Sequence, residues 1–276
     1  MNPNPERWTR EPSCQSFFAT IRDTWRARRL IVFFGHQALL KSTRRTVLGW
    51  LWLPLRGVVP TVLGTFLFSQ VLGVKTDFAP YPLFLLSGLI PWILFAGTVS
   101  WSVRSLEISK RYLRSAAFPR LVLPLGYSAP ALLDLCMYCL CYLLLQIWYL
   151  SHGYINWHIS WAMVLSLALA YLTGLGWGML LCIPGAQARD VRFTLSFVLG
   201  GIWAITPIAY SSEQIPLKWR WLVEANPLAC IVNGFRAGLF GGNETTFFAW
   251  TNAVSIAIVS FVVGLWVFIR HQHRLT

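Results

Sequence analysis

Long stretches without a charged residue constrain this chain more than any other feature. Residues 57–74, 78–103, 135–188, 193–212 and 245–269 contain no Asp, Glu, Lys or Arg. At about 1.5 Å per residue, a helix of roughly 20 residues crosses the ~30 Å hydrocarbon core of a bilayer. Only 12% of the residues are charged, against about 25% in a soluble domain, so the sequence predicts an integral membrane protein.

These stretches divide into six expected transmembrane helices. Asp134 is the one charge between 121 and 150, and polar residues around His152 and Asn156 split the longest stretch in two. We therefore expect an all-α membrane protein whose spans lie at about 57–74, 80–103, 121–150, 158–183, 193–212 and 245–269.

The placement of Lys and Arg predicts the orientation of the spans. All but four of the 23 basic residues fall before residue 57, at 104–120, at 189–192 or after 269. Loops enriched in Lys and Arg stay in the cytoplasm, so both termini are expected there. The net charge of +13 is interpreted as a topology signal rather than as a nucleic-acid footprint, and no nucleic-acid partner is expected.

Residues 1–45 are expected to form a cytoplasmic leader followed by an amphipathic helix at the membrane surface, over 16–45. Apolar residues recur there at helical spacing and arginines supply the polar face. The apolar residues are Phe17, Phe18, Ile21 and Trp25. The apolar run 30–34 leaves a short buried hairpin or an imperfect further span as alternatives. The polar, Pro-containing first residues predict no cleavable signal peptide.

Two cytoplasmic segments are candidates for a contact with a partner. In the basic loop 104–120, a short helix that stops before Pro119 presents apolar Tyr112, Leu113 and Phe118 on a charged surface. In the segment 189–192, an aspartate between two arginines could form paired charge-assisted hydrogen bonds. A plain positive-inside loop and simple anchoring of a helix end remain the alternatives.

The segment 213–242 is expected to form a re-entrant helix pair on the outer side. Pro216 and Asn226-Pro227 break it into pieces of about 18 Å each, too short to cross a bilayer. Non-helical backbone at membrane depth persists only where protein or a water-filled cavity covers it. The pair therefore indicates a pathway through the membrane.

Several classes of chemistry have no support in the sequence. The chain contains no G-x-x-x-x-G-K-[ST], no zinc-ligand spacing and no G-x-S-x-G, so neither a bound nucleotide nor a metal is expected. Asp134 is the one acid well inside a span, which gives little support to a membrane-embedded enzyme or an ion-coupled carrier. Asp134 could instead lie near a helix end or pair with a polar neighbour.

An ordered set of motifs extends over about residues 40–242. They are Leu48-Gly49-x-x-Trp52, Phe118-Pro119-Arg120-x-x-Leu123-Pro124, Arg189-Asp190-Val191, Thr206-Pro207-Ile208-x-Tyr210, Ile215-Pro216, Asn226-Pro227-Leu228 and Gly234-Phe235-Arg236. The set resembles the ABC-2 type permeases, and more narrowly the membrane subunits of O-antigen, capsule and teichoic-acid exporters. One departure is Gly57, which stands where the family usually has proline.

The resemblance implies a transmembrane domain over 46–276 that forms a homodimer with two copies of a separate ATPase subunit. ATP and Mg would bind to that subunit, so this chain is expected to be a non-catalytic transport subunit. The loop 104–120 would carry the ATPase-coupling residues together with the segment after the fourth span: Arg111, Tyr112, Leu113, Arg114, Phe118, Pro119, Arg120, Arg189 and Asp190. The outer segment 213–242 and its flanks would form the gate: Pro207, Ile215, Pro216, Asn226, Pro227 and Arg236.

The resemblance further implies export of a lipid-linked, O-antigen-like polysaccharide to the outer face of the bacterial cytoplasmic (inner) membrane. A glycan conduit needs flat apolar faces with polar tips, and the candidates are Trp92, Trp101, Trp203 and Tyr210. Ordinary aromatic belts are the alternative for these residues. A capsular polysaccharide, a teichoic acid, a drug or a small lipid remains the alternative substrate. Membrane lipid is an expected partner of the basic cytoplasmic edge.

Overall fold

The computed structural model describes residues 17–43, 52–74, 76, 79–115, 118–153, 158, 160–241 and 246–272. All regular structure in these residues is helical, as the sequence predicts. The α-helices are α1 Phe17–Arg26, α2 Arg28–Thr43, α3 Trp52–Thr65, α4 Tyr81–Ile108, α5 Lys110–Ser115, α6 Val122–Gly126, α7 Ala129–Ser151, α8 Trp161–Gln187, α9 Arg189–Ile205, α10 Leu217–Glu224, α11 Pro227–Phe240 and α12 Phe247–His271.

Five helical segments of the described chain are long and apolar enough to cross a membrane. They are Trp52–Val71, in which a π-helical turn over Phe66–Val71 continues α3, then Tyr81–Ile108, Val122–Ser151, Trp161–Gln187 and Phe247–His271. Each overlaps one expected span. The second span extends through Ile108, so the first residues of the expected loop 104–120 continue α4 instead of leaving it.

The expected span 193–212 is not confirmed as a crossing helix. Its helix, α9, has 17 residues and ends at Ile205. Thr206 adopts an extended conformation because the ring of Pro207 disfavours a helical residue before it. The chain from 206 to 211 is therefore non-helical, and the apolar composition of this stretch overestimates the length of the helix.

The expected surface helix over 16–45 is divided into α1 and α2 by a tight turn at Ala27. The Leu30 amide donates to the Ala27 carbonyl at 2.8 Å, three residues back, while Ala27 itself is buried. On α1, Phe18 is 80% exposed and Trp25 69% exposed, whereas the threonines between them face the protein. An apolar stripe that faces away from the protein fits the predicted position at a membrane surface.

Helix α4 is the centre of the bundle. In an 18-residue apolar stretch of this helix, 78% of the residues are buried. Glycines bring α8 onto α4: a Cβ on Gly174 would lie 3.0 Å from the carbonyl oxygen of Phe95, and one on Gly178 2.5 Å from Ser102 Cβ. On another face of α8, Gly176 lies against Ser260 and Gly264 of α12. Small residues let helix backbones approach closely in membranes, where van der Waals contact drives association.

The bundle has two distinct ends. We call one the basic end, since α1, α2, α5, α6, the start of α9 and the C-terminus of α12 meet there. The other is the loop end, where α10 and α11 meet the first turns of α4, α8 and α12. Most described Lys and Arg residues lie on elements of the basic end, and the loop end carries Lys218, Arg220 and Arg236.

Candidate functional site

The predicted coupling loop packs on Phe34 of α2 at the basic end. The Phe34 ring lies 5.6 Å from Tyr112, 5.4 Å from Phe118 and 6.3 Å from Tyr127, measured between ring centroids. Phe34 is 2% exposed, and Tyr112, Leu113 and Phe118 are half-buried around it. The apolar side chains that the sequence places on a charged surface therefore lie partly against α2, which sequence spacing did not indicate.

Arg120 ties the end of this loop to the last helix. Its guanidinium donates a hydrogen bond to the backbone carbonyl of Gln272, just past α12. Burial lowers the pKa of the Arg120 guanidinium below its usual value. Pro119 is half-buried beside it, and Arg111 is exposed on α5. The loop, α2, α6 and the end of α12 thus form one packed unit.

Arg192 connects the segment 189–192 to the end of α4. Arg192 donates from Nη2 to Glu107 Oε1 of α4 at 3.0 Å, and also to the carbonyl of Gly185. Arg189 and Asp190 are exposed, and the structure gives Asp190 no ion pair among the side chains it describes. Glu107 competes successfully because α4 ends next to the first turn of α9.

Arg236 organises the loop end. Its side chain is 2% exposed and donates from Nη1 to the Pro207 carbonyl at 2.6 Å and from Nη2 to the Ile208 carbonyl at 2.5 Å. It also donates to Ser87 Oγ at 3.3 Å, and its guanidinium lies 3.7 Å from the centroid of the Phe84 ring. One side chain on α11 therefore holds the non-helical chain after α9 against the first turns of α4.

The same non-helical chain is fixed at two further points. The Tyr81 hydroxyl donates to the Ala209 carbonyl at 2.7 Å. Asn226 donates from Nδ2 to Thr206 Oγ1 at 3.0 Å, while its Oδ1 accepts from the Leu228 amide at 3.0 Å and caps α11. The turn between α10 and α11 at Asn226 and Pro227 is therefore held to residue 206 by a hydrogen bond of Asn226.

The predicted gate residues are only partly brought together. Pro207, Asn226 and Arg236 share the network around residues 206–209, and Pro227 follows Asn226 as the first residue of α11. Ile215 and Pro216 lie beyond it, on the approach to α10, where Pro216 precedes the first helical residue. Helix α11 contacts the first turns of α4, α8 and α12, at residues such as Phe84, Ser166 and Trp250.

The predicted conduit residues fall into separate places. Trp92 is 8% exposed and packs on Phe95 inside the bundle, and Trp203 packs on Phe68. Trp101 belongs to the apolar cluster of the basic end. The Tyr210 hydroxyl donates to the carbonyls of Ala204 and Ile205 at the end of α9. Trp92 therefore exposes little surface in this conformation.

Comparison with known proteins identifies the family of this arrangement. The family model described as "ABC-2 type transporter" matches residues 30–240, well over half of the chain. The chain belongs to the ABC-2 type transporter family. The matched region begins in α2 and ends in α11, so it contains both the Phe34 contact and the Arg236 network.

Curated relatives of this ABC-2 type transporter chain are named as permeases or transport proteins. The O-antigen export system permease protein RfbA of Klebsiella pneumoniae is 25% identical over 246 residues, which is 89% of this chain and 93% of that protein. The polysialic acid transport protein KpsM of Escherichia coli is 24% identical over 221 residues, 79% and 84% of the two chains. The inner membrane transport permease YadH of Escherichia coli strain K12 is 26% identical over 120 residues, 42% and 44% of the two chains.

Asp134 of this ABC-2 type transporter chain is engaged in an ion pair. Its Oδ1 accepts from Arg56 Nη1 at 2.9 Å, and the Tyr138 hydroxyl donates to the Arg56 backbone carbonyl at 2.6 Å. The ion pair joins α3 to α7 near the basic end. It agrees with the alternative stated above, that Asp134 pairs with a polar neighbour. The carboxylate therefore has a structural role between two helices. Among the residues described, no group of three His, Cys, Asp or Glu side chains could hold a metal ion.

Sequence reasoning missed two features of this site. Phe34 stood in an apolar run without clear periodicity, and its central position depends on how α2 packs on α6. Arg236 was recognised as part of a motif, yet its buried network was not predicted. An arginine inside an apolar 14-residue helix was the available signal, because such a residue needs buried hydrogen-bond acceptors.

Proposed function

We propose that this chain is the membrane subunit of an ATP-driven exporter of lipid-linked polysaccharide. The glycan, of O-antigen type, would move from the cytoplasm to the outer face of the inner membrane. The observation that carries the proposal is the match to an O-antigen export permease over 89% of this chain and 93% of the relative.

Capsular polysaccharide is the second candidate substrate. The match to the polysialic acid transport protein covers 79% of this chain and favours it over a drug or small lipid. The match to YadH, whose name gives no substrate, covers 42%. An ion-coupled carrier has less support, since Asp134 is held by Arg56.

The subunit works as a homodimer with two copies of a separate ATPase subunit, which supplies ATP and Mg chemistry. The coupling surface is the exposed side of α5 and the segment around Phe118–Arg120, with Arg189 and Asp190 beside it. Closure of the ATPase subunits presses on this surface. Because Tyr112 and Phe118 pack on Phe34, the force passes to α2 and α6 together.

The basic end faces the cytoplasm, and so do both termini. The concentration of described Lys and Arg on elements of that end supports this orientation. Exposed Phe18 and Trp25 support a membrane-surface position for α1 within the N-terminal region 1–45. The rest of the chain, 46–276, forms the transmembrane domain in this proposal.

A sixth crossing is formed by α9 together with the non-helical chain that follows it. Seventeen helical residues extend about 26 Å, slightly less than the ~30 Å hydrocarbon core. The carbonyls of residues 207 and 208 accept hydrogen bonds from Arg236, and that of residue 209 accepts one from Tyr81. These bonds give the non-helical backbone the donors that lipid cannot supply. Helices α10 and α11 then return at the loop end as the outer gate.

The glycan passes between the two membrane subunits once the gate opens. Trp203 lies on α9 and Tyr210 follows it, which supports their proposed role beside this route. Trp92 is buried in the present conformation, so its contact with glycan requires a rearrangement of α4 and its neighbours. Trp101 lies nearer the basic end of the bundle, where it packs on the apolar cluster of that end.

The coupling assignment is tested by replacing Phe118 and Arg120 with alanine in the producing bacterium. We expect surface polysaccharide to fall about tenfold or more, since truncating an anchor residue at an interface often costs more than ~1.4 kcal/mol. Surface polysaccharide is quantified by an anti-glycan antibody on intact cells. Copurification of the ATPase subunit is measured in parallel.

Phe247→Ala is the matched control, since Phe247 is 88% exposed at the opposite end of the bundle. It should display glycan at the level of the unmodified protein. Unchanged display with normal ATPase association in the Phe118→Ala and Arg120→Ala variants would refute the coupling assignment.

A further inference from the structure

The loop end contains a cavity of ≈ 660 Å³ that none of the roles above uses. It lies between α10, α11 and the first turns of α12, with a volume in the ~300–1,000 Å³ range of small-molecule sites. Its lining includes Ser212, Arg220, Trp221, Asn233, Phe248 and Asn252, together with Thr246 and small apolar residues of α10, α11 and α12. These side chains come from four separate segments that the fold brings together.

The polar groups of the cavity have unused hydrogen-bonding capacity. Asn233 donates from Nδ2 to Ser212 Oγ at 2.9 Å, which orients the amide and leaves its Oδ1 as an acceptor. Arg220 and Asn252 are half-buried, and neither makes a hydrogen bond or ion pair with a side chain that the structure describes. A guanidinium and an amide in this state favour an anionic, hydroxyl-rich ligand.

The aromatic groups supply flat surfaces beside these polar groups. Trp221 is 59% exposed and Phe248 is 79% exposed. Flat apolar faces next to amide and hydroxyl groups suit a sugar ring, which has apolar C–H faces and hydroxyls at its edge. A purely apolar occupant would desolvate Arg220 and Asn252 without replacing their hydrogen bonds, which is unfavourable.

We propose that this cavity is a saccharide-binding subsite that takes a sugar bearing a carboxylate or phosphate group. The acidic group pairs with Arg220, the ring packs on Trp221, and Asn233 and Asn252 bind hydroxyls. This inference rests on the proposed function, because it takes the ligand to be part of the exported glycan. The subsite holds the chain as it emerges and opposes its return.

The test measures binding of defined probes to the purified exporter complex in phosphatidylcholine nanodiscs. The acidic probe is a hexasaccharide of alternating glucuronic acid and N-acetylglucosamine, the neutral probe is maltohexaose, and inorganic phosphate is the third. Saturation-transfer NMR reports contact of each probe with the protein. We expect the acidic hexasaccharide to bind more tightly than maltohexaose or phosphate.

Variants Arg220→Ala and Trp221→Ala are each expected to weaken binding of the acidic hexasaccharide about tenfold. Lys218→Ala and Trp219→Ala are matched controls, since these neighbours on α10 do not line the cavity. Their binding should equal that of the unmodified protein. Unchanged thermal unfolding midpoints verify that all four variants fold.

Equal binding by all four variants, or no binding of the acidic hexasaccharide, would overturn the subsite. If phosphate binds, and phosphatidylglycerol supplied in the nanodisc binds, but no sugar does, the cavity is a site for lipid headgroups. That result would equally overturn the saccharide subsite. ATP-driven transport by the unmodified complex is measured separately. Loss of the subsite with transport intact therefore leaves the proposed function standing, and absent transport removes the function itself.

Discussion

The Arg236→Ala variant is expected to unfold about 6–12 °C below the unmodified protein. Removing the guanidinium leaves the buried carbonyls of Pro207 and Ile208 without their donors, at a cost of about 1–3 kcal/mol each. The loss is then about 3 kcal/mol, and each kcal/mol lowers the midpoint of a chain of this size by roughly 2–4 °C. The measurement is thermal unfolding of the purified protein in detergent.

Lysine is not expected to replace Arg236. A single ammonium cannot donate to two carbonyls in the geometry of the guanidinium fork or lie flat on the Phe84 ring. Arg236→Lys should therefore resemble the alanine variant more than the unmodified protein. The matched control is Arg220→Ala, which removes a guanidinium from the same end without breaking a described hydrogen bond. Equal midpoints for Arg236→Ala and Arg220→Ala would contradict the proposed network.

The second large effect is expected where α8 crosses α12. A Cβ on Gly264 would collide with the Gly176 carbonyl, and one on Gly176 would collide with the backbone of Ser260. Neither obstacle is a flexible side chain, so one helix must move. Gly264→Ala is expected to lower the free energy of unfolding by about 3 kcal/mol or more, the upper range for overpacking, and Gly264→Val by more still.

A double variant tests whether the two glycines form one contact. Once either alanine has separated the helices, the other adds little, so the loss in Gly176→Ala/Gly264→Ala should be smaller than the sum of the single losses. Gly200→Ala is the matched control, since a Cβ there meets nothing within 4 Å. The account of this crossing fails if Gly264→Ala and Gly200→Ala unfold at the same temperature.

The spans were predictable because their signal is local. Helices α4, α7, α8 and α12 follow stretches with few or no charged residues whose length matches a bilayer, whatever their neighbours are. The end of α9 was missed because apolar composition continues to Ser212 while Pro207 stops the helix at Ile205. Charge counting predicted a basic end without requiring any contact between helices.

The pairings inside the candidate site could not be predicted in the same way. Arg192 lies two residues after Asp190 in the chain, yet it pairs with Glu107, 85 residues away. Arg56 and Asp134 are separated by 78 residues, and Arg236 reaches carbonyls 28 and 29 residues before it. Such contacts follow from the packing order of the helices, which a single sequence does not contain.

ATP-driven transport in proteoliposomes tests the central claim most directly. The chain is reconstituted with its ATPase subunit, and a lipid-linked polysaccharide is added to the outer leaflet. We predict that ATP and Mg move the glycan into the lumen, where periodate cannot reach it, and that a Walker A lysine variant of the ATPase abolishes this protection. Equal protection by this chain alone, without the ATPase subunit or ATP, would contradict the account.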